Sequence, residues 1–530
     1  MEAEEGTRLR KQALSLKPIE TKRKNDRDRK ENGDYFQVGE ININSVEEEE
    51  EPVSPAGRFF HEPKFNVHII SIFGCKTRIF PDVIKANLPC SLLKHPRFSS
   101  LLVVDEKNGE MKWVRTEVDL EKHVIVPDID SKNNMKNLSP DEVIENYIYN
   151  LTKTSLDKSK PLWDLHLLNI KTTEAESVGI FRVHHSLGDG TSLMSLLLAC
   201  TRQTSNPQAL PTLPTVKKVT QISNKGSFIR KFSKQFFGFW SILRLFWNTF
   251  IDVLFFLATM VFLRDTQTPV RAPPGCFEYT PRRIVFRIVS LDDIKLVKNA
   301  MNSTINDVVL GITQAGLSRY LNRRYGENKN NERGSTEIKN NLPKKIRLRS
   351  NLIVNIRPSP GIQALADMME KDTEAKWGNW MGYVLLPFTI GLRDDPLDYI
   401  RHAKATVDRK KHSLEALCTF SISGLLYKLF GLKLTSAIFH RVLSSLTMAF
   451  SNLVGPLEEI SFYGHPMAYL AATSYGQPHE LMVSLQSYAN KMTIVLAVDE
   501  NTIPDPHLLC DDIAESLNLV KNVVIEKGLI

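Results

Sequence analysis

Apolar positions along this chain switch between two periods, and the switching runs through both halves. Short β-branched runs at Val67–Phe73, Ser100–Val104, Val124–Val126, Leu165–Ile170 and Val178–Val183 have the length of strands. Helical spacing intervenes at Asp82–Leu88 and Asp141–Thr152, the latter introduced by Ser139-Pro140 as N-cap and first-turn proline. A Leu-rich helix is predicted over Thr191–Thr201. In the second half, Ile284, Phe286 and Ile288 alternate as a strand does, and Ser290 with Asp293 predicts a helix start. A further helix runs from Thr304 towards Arg323, followed by a polar surface loop over 326–348 and a strand at Leu352–Ile356. Beyond these come a long helical stretch around Ile400–Ala416 and two strands within 481–498 joined near Ala489-Asn490. A final amphipathic helix carries Ile513, Leu517, Val520 and Val524. Interleaved strands and helices predict an α/β (mixed α+β) fold with layers in both halves.

Two stretches break the pattern. Residues 1–57 hold basic runs, an acidic block at Glu47–Glu51 and few apolar residues, which predicts a disordered polar tail with no signal peptide. Residues 202–280 form a linker that passes from prolines through a basic piece, Lys225–Lys234, to the most apolar window of the chain, 236–263. Within it Leu245–Leu263 contains one acid, Asp252, and approaches the roughly 20 residues a bilayer-crossing helix needs. The ordered parts on either side are an N-terminal lobe, 58–201, and a C-terminal lobe, 281–530.

Composition narrows the class. The 530 residues are 42% hydrophobic and 24% charged, with Lys+Arg 68 against Asp+Glu 60 and a net charge of +8. Mean hydropathy is −0.21. These values exclude wholesale disorder and a multi-span membrane protein. The positive excess suits an anionic cofactor or an acidic membrane surface, and is too dispersed to argue for nucleic acid. Cys75, Cys90, Cys200, Cys276, Cys418 and Cys510 show no CxxC or Cys/His ligand spacing, so neither a disulfide scaffold nor a zinc module is expected.

The most informative stretch is His184-His185-Ser186-Leu187-Gly188-Asp189-Gly190, at the end of a strand and the start of an apolar helix. Adjacent strand residues face opposite ways, so one imidazole can meet a reaction channel while its neighbour packs. Imidazole titrates near neutrality and suits removal of a proton from an alcohol. Asp189, in a glycine-flanked turn, can orient a histidine or lock the turn through an arginine. No Gly-x-Ser-x-Gly elbow and no Walker-type phosphate loop accompany it.

Further motifs follow in order: Pro161-Leu162-Trp163 before the double histidine, then Asn306-Asp307-Val308-Val309-Leu310, Val354-Asn355-Ile356-Arg357-Pro358, Ser451-Asn452-Leu453-Val454-Gly455-Pro456 and the Ser487-Tyr488 region. Together they resemble the plant-type wax ester synthase/diacylglycerol acyltransferase family of the CoA-dependent acyltransferase superfamily, over residues 59–527. The resemblance implies two chloramphenicol-acetyltransferase-like lobes around a central substrate channel, joined by a long crossover containing an apolar helix. It implies a catalytic set of His185 as proton acceptor with His184 and Asp189, supported by Gly190, Asn306, Asp307 and Arg357, the last as partner of Asp189. Asp307 also fits a capping box with Thr304. The implied reaction moves a long-chain acyl group from acyl-CoA, a co-substrate, to a fatty alcohol or diacylglycerol without an acyl-enzyme. No bound cofactor, metal or nucleic acid is expected; membrane lipids are, at the cytosolic face of the endoplasmic reticulum or at the plasma membrane. Alternatives are a diacylglycerol-preferring enzyme, a soluble alcohol acyltransferase with small acceptors, and an inactive lipid-binding relative.

The apolar window meets one objection as a simple span. A single crossing would put His185 and Arg357 on opposite sides of the membrane. The segment is therefore expected to lie in or dip into the interface, with Arg244 and Asp252 towards head groups or protein and Trp240 and Trp247 at the boundary.

Overall fold

The computed structural model describes residues 50–105, 109–128, 138–214, 228–273, 280–327, 339–357 and 377–529. The predicted tail up to residue 49, the basic side chains of Lys225–Lys234 and residues 328–338 of the predicted loop 326–348 lie outside the described residues. The tail boundary moves: Glu50–Pro52 is a strand paired with Met111–Arg115, and Ser54 accepts a hydrogen bond from the backbone of Gly57 to start the helix Pro55–Phe59. The acidic block supplies partners here, since Glu50 meets Lys112 at 2.8 Å and Glu51 meets Arg97 at 2.5 Å.

Two sheets organise the chain. The larger runs, in spatial order, Val124–Ile125, Trp163–Leu168, Ser177–His184, His68–Cys75, His465–Tyr475, Ile460–Phe462 and Thr201–Gln203. The second runs Met381–Phe388, Leu348–Asn355, Met448–Leu453, Leu481–Tyr488, Lys491–Val498 and Arg283–Ser290. A contiguous division at residue 281 therefore fails. Strand His465–Tyr475, from the C-terminal part, pairs antiparallel with His68–Cys75 and completes the N-terminal sheet, with Leu470 opposite Phe73. Its reason is apolar continuity: Ile70, Ile72, Ile180, Tyr469 and Ala471 bury one face of that sheet against Ile284, Ala449, Met482 and Val495 of the other.

The second sheet covers its other face with the helices Ile305–Glu327 and Pro506–Glu526, whose Val309, Ile312, Leu317, Ile513 and Val520 are sealed from solvent. The helix starts read from sequence hold locally. Ser139 and Glu142 form a reciprocal capping box, and Ser290 caps Leu291–Ala300. The two strands near Ala489-Asn490 form the hairpin Leu481–Tyr488 and Lys491–Val498.

The apolar window is one helix of 34 residues, Phe228–Val261. Between Trp240 and Val261 only Asn248, Asp252, Phe256 and Thr259 are buried, at spacings that follow one helix face. That stripe is bolted to the C-terminal lobe. Asn248 donates to the carbonyls of Arg409 and His412, Asp252 pairs with Arg409 at 2.6 Å and Lys410 at 2.9 Å, and Arg349 donates to Thr259 at 2.6 Å. The opposite face shows Trp240, Phe246, Trp247, Phe250 and Phe262 to the surroundings. The predicted stretch Ile400–Ala416 is the helix Leu397–Lys411; a second apolar helix, Glu415–Leu443, follows it and bends at Gly431, whose φ is +70°. Up to Ser436 it has the same inverted polarity, with Glu415, Thr419, Thr435 and Ser436 facing protein and Leu417, Leu425, Leu429, Phe430 and Leu434 facing out, and its last turns bury Phe439, Val442 and Leu443 in the core. Both helices are long and apolar enough to cross a membrane.

Candidate active site

Strand Ser177–His184 sits between two neighbours in its sheet, so its last residue is held on both edges. The chain then turns through His185 to Asp189 and enters the helix Gly190–Cys200. Asp189 starts that helix: its Oδ1 accepts from the backbone of Ser192 at 2.8 Å. Its Oδ2 accepts from Arg357 Nη2 at 2.9 Å and from the backbone of Trp380 at 3.2 Å. Arg357 Nη2 also reaches Ser192 Oγ at 3.1 Å and the carbonyl of Gly378 at 2.6 Å. The sequence-predicted partner of Asp189 is thus in place, and the contact joins the two lobes across the turn.

His184 is fully engaged. Nδ1 contacts Ser186 Oγ at 2.7 Å, Nε2 contacts Asn66 Oδ1 at 3.2 Å, and the ring stacks on His61 at 4.3 Å between centroids. Burial, with neighbouring His61 and His68, holds its pKa well below the ordinary value. His185 differs. Its backbone is pinned, with N–H donating to Val67 and the carbonyl accepting from Asn379 Nδ2 at 3.0 Å. Its ring stacks on Phe60 at 4.3 Å and is 7% exposed, and Nδ1 has no hydrogen-bond partner among the described residues. Desolvation lowers its pKa from 6.5, partly opposed by its own carbonyl, Asp189 and Asn379. At neutral pH the imidazole is therefore uncharged and able to accept a proton.

Sequence reasoning grouped His184 and Asp189 with His185 as catalytic. In the structure neither hydrogen-bonds the His185 ring: their polar atoms are committed elsewhere, and both hold the turn. Gly188 is small for a packing reason, since a Cβ there would lie 3.2 Å from Ser192 and 3.3 Å from the Trp377 indole. At Gly190 a Cβ would meet only Leu453, at 3.7 Å. Asp307 forms the capping box with Thr304, its Oδ2 accepting from the Thr304 backbone at 2.7 Å. Asn306 accepts from Asn452 at 2.5 Å, beside Leu453. Among the described residues no hydrogen bond links Asn306 or Asp307 to His185.

One group was missed. Trp377 to Trp380 wraps the turn: the Trp377 indole donates to the carbonyl of Leu187 at 2.6 Å, Gly378 accepts from Arg357, Asn379 holds His185, and Trp380 holds Asp189. Two tryptophans flanking Gly-Asn in an otherwise polar region were the available signal. Beside the turn lies a cavity of about 110 Å3. Its walls include Val183 and Gly190, next to the two ends of the motif, and then Phe181, Leu193, Leu197 and Leu453. Such walls accept a hydrocarbon chain and offer little to a charged molecule.

Comparisons with known proteins fall on the same residues. The family model described as "Wax ester synthase/diacylglycerol acyltransferase catalytic domain" matches residues 82–309, and "WS/DGAT C-terminal domain" matches 377–521. The chain is 51% identical over 501 residues to wax ester synthase/diacylglycerol acyltransferase 5 of Arabidopsis thaliana, covering 93% of this chain and 97% of the relative. It is likewise 51% identical over 482 residues to number 11 of the same plant, covering 91% and 96%. Among solved structures, the wax ester synthase/diacylglycerol acyltransferase from Marinobacter aquaeolei VT8 aligns with TM-score 0.53 at 16% identity, covering 89% of this chain and 100% of its own. The first condensation domain of the calcium-dependent antibiotic synthetase aligns with TM-score 0.50 at 14% identity, covering 85% and 91%. At these identities the structural likeness speaks for fold alone, and that fold is mixed α/β with two lobes.

Proposed function

Because this chain belongs to the wax ester synthase/diacylglycerol acyltransferase family, and is an acyltransferase, we propose that it joins a long-chain acyl group from acyl-CoA to the hydroxyl of a fatty alcohol, and to that of diacylglycerol. The observation that carries this reading is His185: a buried, uncharged imidazole with an unbonded nitrogen, two residues beyond the wall of an apolar cavity. His185 takes the hydroxyl proton as the oxygen attacks the thioester carbonyl. The tetrahedral intermediate then collapses, the C–S bond breaks, and the CoA thiolate leaves with the proton that His185 returns. Ester and free CoA are the products, and no acyl group is attached to the protein. His184, Asp189, Arg357 and Asn379 hold the turn in position.

Expression in a yeast lacking neutral-lipid synthesis tests the reading. Wax ester is expected when fatty alcohol is fed and triacylglycerol without feeding, with both lost in His185→Ala. An expressed wild-type chain that yields neither lipid would sink the assignment.

We further propose that the protein sits on one leaflet of a membrane, at the cytosolic face of the endoplasmic reticulum. In support, two helices turn their apolar faces outward and their polar stripes inward, with Trp247 65% exposed, Phe262 71% and Leu429 64%. Where these helices end, Lys64, Arg264, Arg271 and Arg441 line a cavity of about 220 Å3 with one acid, Glu480. That cationic rim suits anionic head groups. Tags at the two termini are expected to show equal protease sensitivity in sealed microsomes; protection of one alone would refute a one-sided arrangement.

A further inference from the structure

The apolar cavity has a direction. Gly190 lines it at one end of the motif helix and Cys200 at the other, and ten residues of helical rise separate these by about 15 Å. The sheet side runs the same way, since Val183 and Ile69 are paired neighbours near the motif and Phe73 lies further along the same strand as Ile69. The near end therefore lies by Val183 and Gly190, which bracket the turn that carries His185, and the far end lies by Cys200.

Tyr463 stands at that far end. Its ring lines the cavity and is 3% exposed. Its hydroxyl bonds Ser91 Oγ, and the Cys200 thiol interacts with both groups. Its backbone is unusual: φ is +47° at Tyr463 and +88° at Gly464, the two residues joining strands Ile460–Phe462 and His465–Tyr475. A two-residue hairpin turn with two positive φ angles favours Asn or Asp followed by Gly, and a bulky side chain there is strained. The turn alone gives no reason for a tyrosine. What tyrosine adds is a ring in the cavity and a hydroxyl that fixes it.

We infer that Tyr463 is the end stop of a chain-binding pocket and sets the length of hydrocarbon the enzyme accepts. This rests on the acyltransferase reading above. The ligand is a linear alkyl chain, and two sources share that chemistry: the acyl group of the donor and the chain of the alcohol. Each methylene that finds room is worth about a fourfold gain in binding, so a stop of this kind produces a sharp upper limit.

The test uses the full chain in membranes, with two substrate series: acyl-CoA of rising length at fixed alcohol, and alcohol of rising length at fixed acyl-CoA. Tyr463→Gly removes the ring and suits the left-handed backbone. It is expected to raise kcat/KM for chains beyond the wild-type optimum, by about fourfold per added methylene, in one series and not the other. The series that moves names the chain that fills the pocket. Tyr463→Phe keeps the ring and is expected to keep the optimum. Leu197→Trp, which fills the pocket from the helix side, is expected to shift the same series to shorter chains. If Tyr463→Gly proves unfolded by thermal melt, Leu197→Trp decides alone. An unchanged optimum in both series, in folded and active variants, overturns the end stop. A wild-type chain with no transfer at any length overturns the acyltransferase reading instead.

Discussion

The two sides of the turn after strand Ser177–His184 follow opposite rules. On one side His184, Asp189 and Arg357 meet Ser186, Asn66, Ser192, Gly378 and Trp380 through hydrogen bonds of 2.6–3.2 Å. On the other, His185 stacks on Phe60 and its Nδ1 has no hydrogen-bond partner among the described residues. The difference shows how one seven-residue motif divides labour. Hydrogen-bonded groups fix the backbone, and the His185 ring is the imidazole of the pair that keeps an unpaired nitrogen.

Four measurements can break or sharpen this contrast. The largest effect is expected from His185→Ala, which should lower turnover by about 10²–10⁴-fold, a loss far beyond what the lower thermal midpoint from removing a buried ring stacked on Phe60 accounts for. Arg357→Ala removes one partner of a buried ion pair, at a cost of about 3–5 kcal/mol, a large share of the roughly 5–15 kcal/mol that holds a domain folded. It should therefore reduce folded yield. A loss of specific activity with unaltered stability would place Arg357 in the chemistry instead. His184→Ala deletes two hydrogen-bonded contacts and is expected to cost about 1–3 kcal/mol, with a thermal shift and a much smaller loss of turnover than His185→Ala.

The smallest effect is in pH dependence. His185 must be neutral to act, so activity is present above its pKa and falls as pH drops through it. Desolvation lowers that pKa from 6.5, so the acid limb of kcat/KM should lie below pH 6.5. A limb above that value would mean that His185 is charged when free. Stability should weaken in the same direction. His61 and His68 are pushed by burial to about 4, so the unfolded chain binds more protons below 6.5, and stability falls from there towards pH 4.

Much of this was legible because it is local. Strand Val178–Val183, the helix that follows, the Thr304–Asp307 capping box and the hairpin at Ala489-Asn490 are each specified by residues within a few positions of one another. The Asp189–Arg357 pair was reached only through the ordered motifs of the family, since 168 positions separate the two. Nothing local announces that His465–Tyr475 pairs with His68–Cys75. Its apolar pattern reads equally well as a strand of either sheet, and only packing chooses. The predicted stretch Ile400–Ala416 is the helix Leu397–Lys411, and the separate helix Glu415–Leu443 that follows it was not read. The places of His184 and Asp189 beside His185 came from the family resemblance; which groups their polar atoms meet is visible only in the fold.

The strand His465–Tyr475 has a consequence for how the molecule is made. A ribosome that has delivered the first 280 residues has produced the histidine motif, yet the His68–Cys75 edge still lacks its neighbour from nearly two hundred residues downstream. Until that neighbour emerges, the nascent N-terminal part carries an open, apolar strand edge of the kind that invites mispairing. Cutting the gene at the linker should for that reason give insoluble halves, and co-expressing the halves should rescue only those that meet before they aggregate.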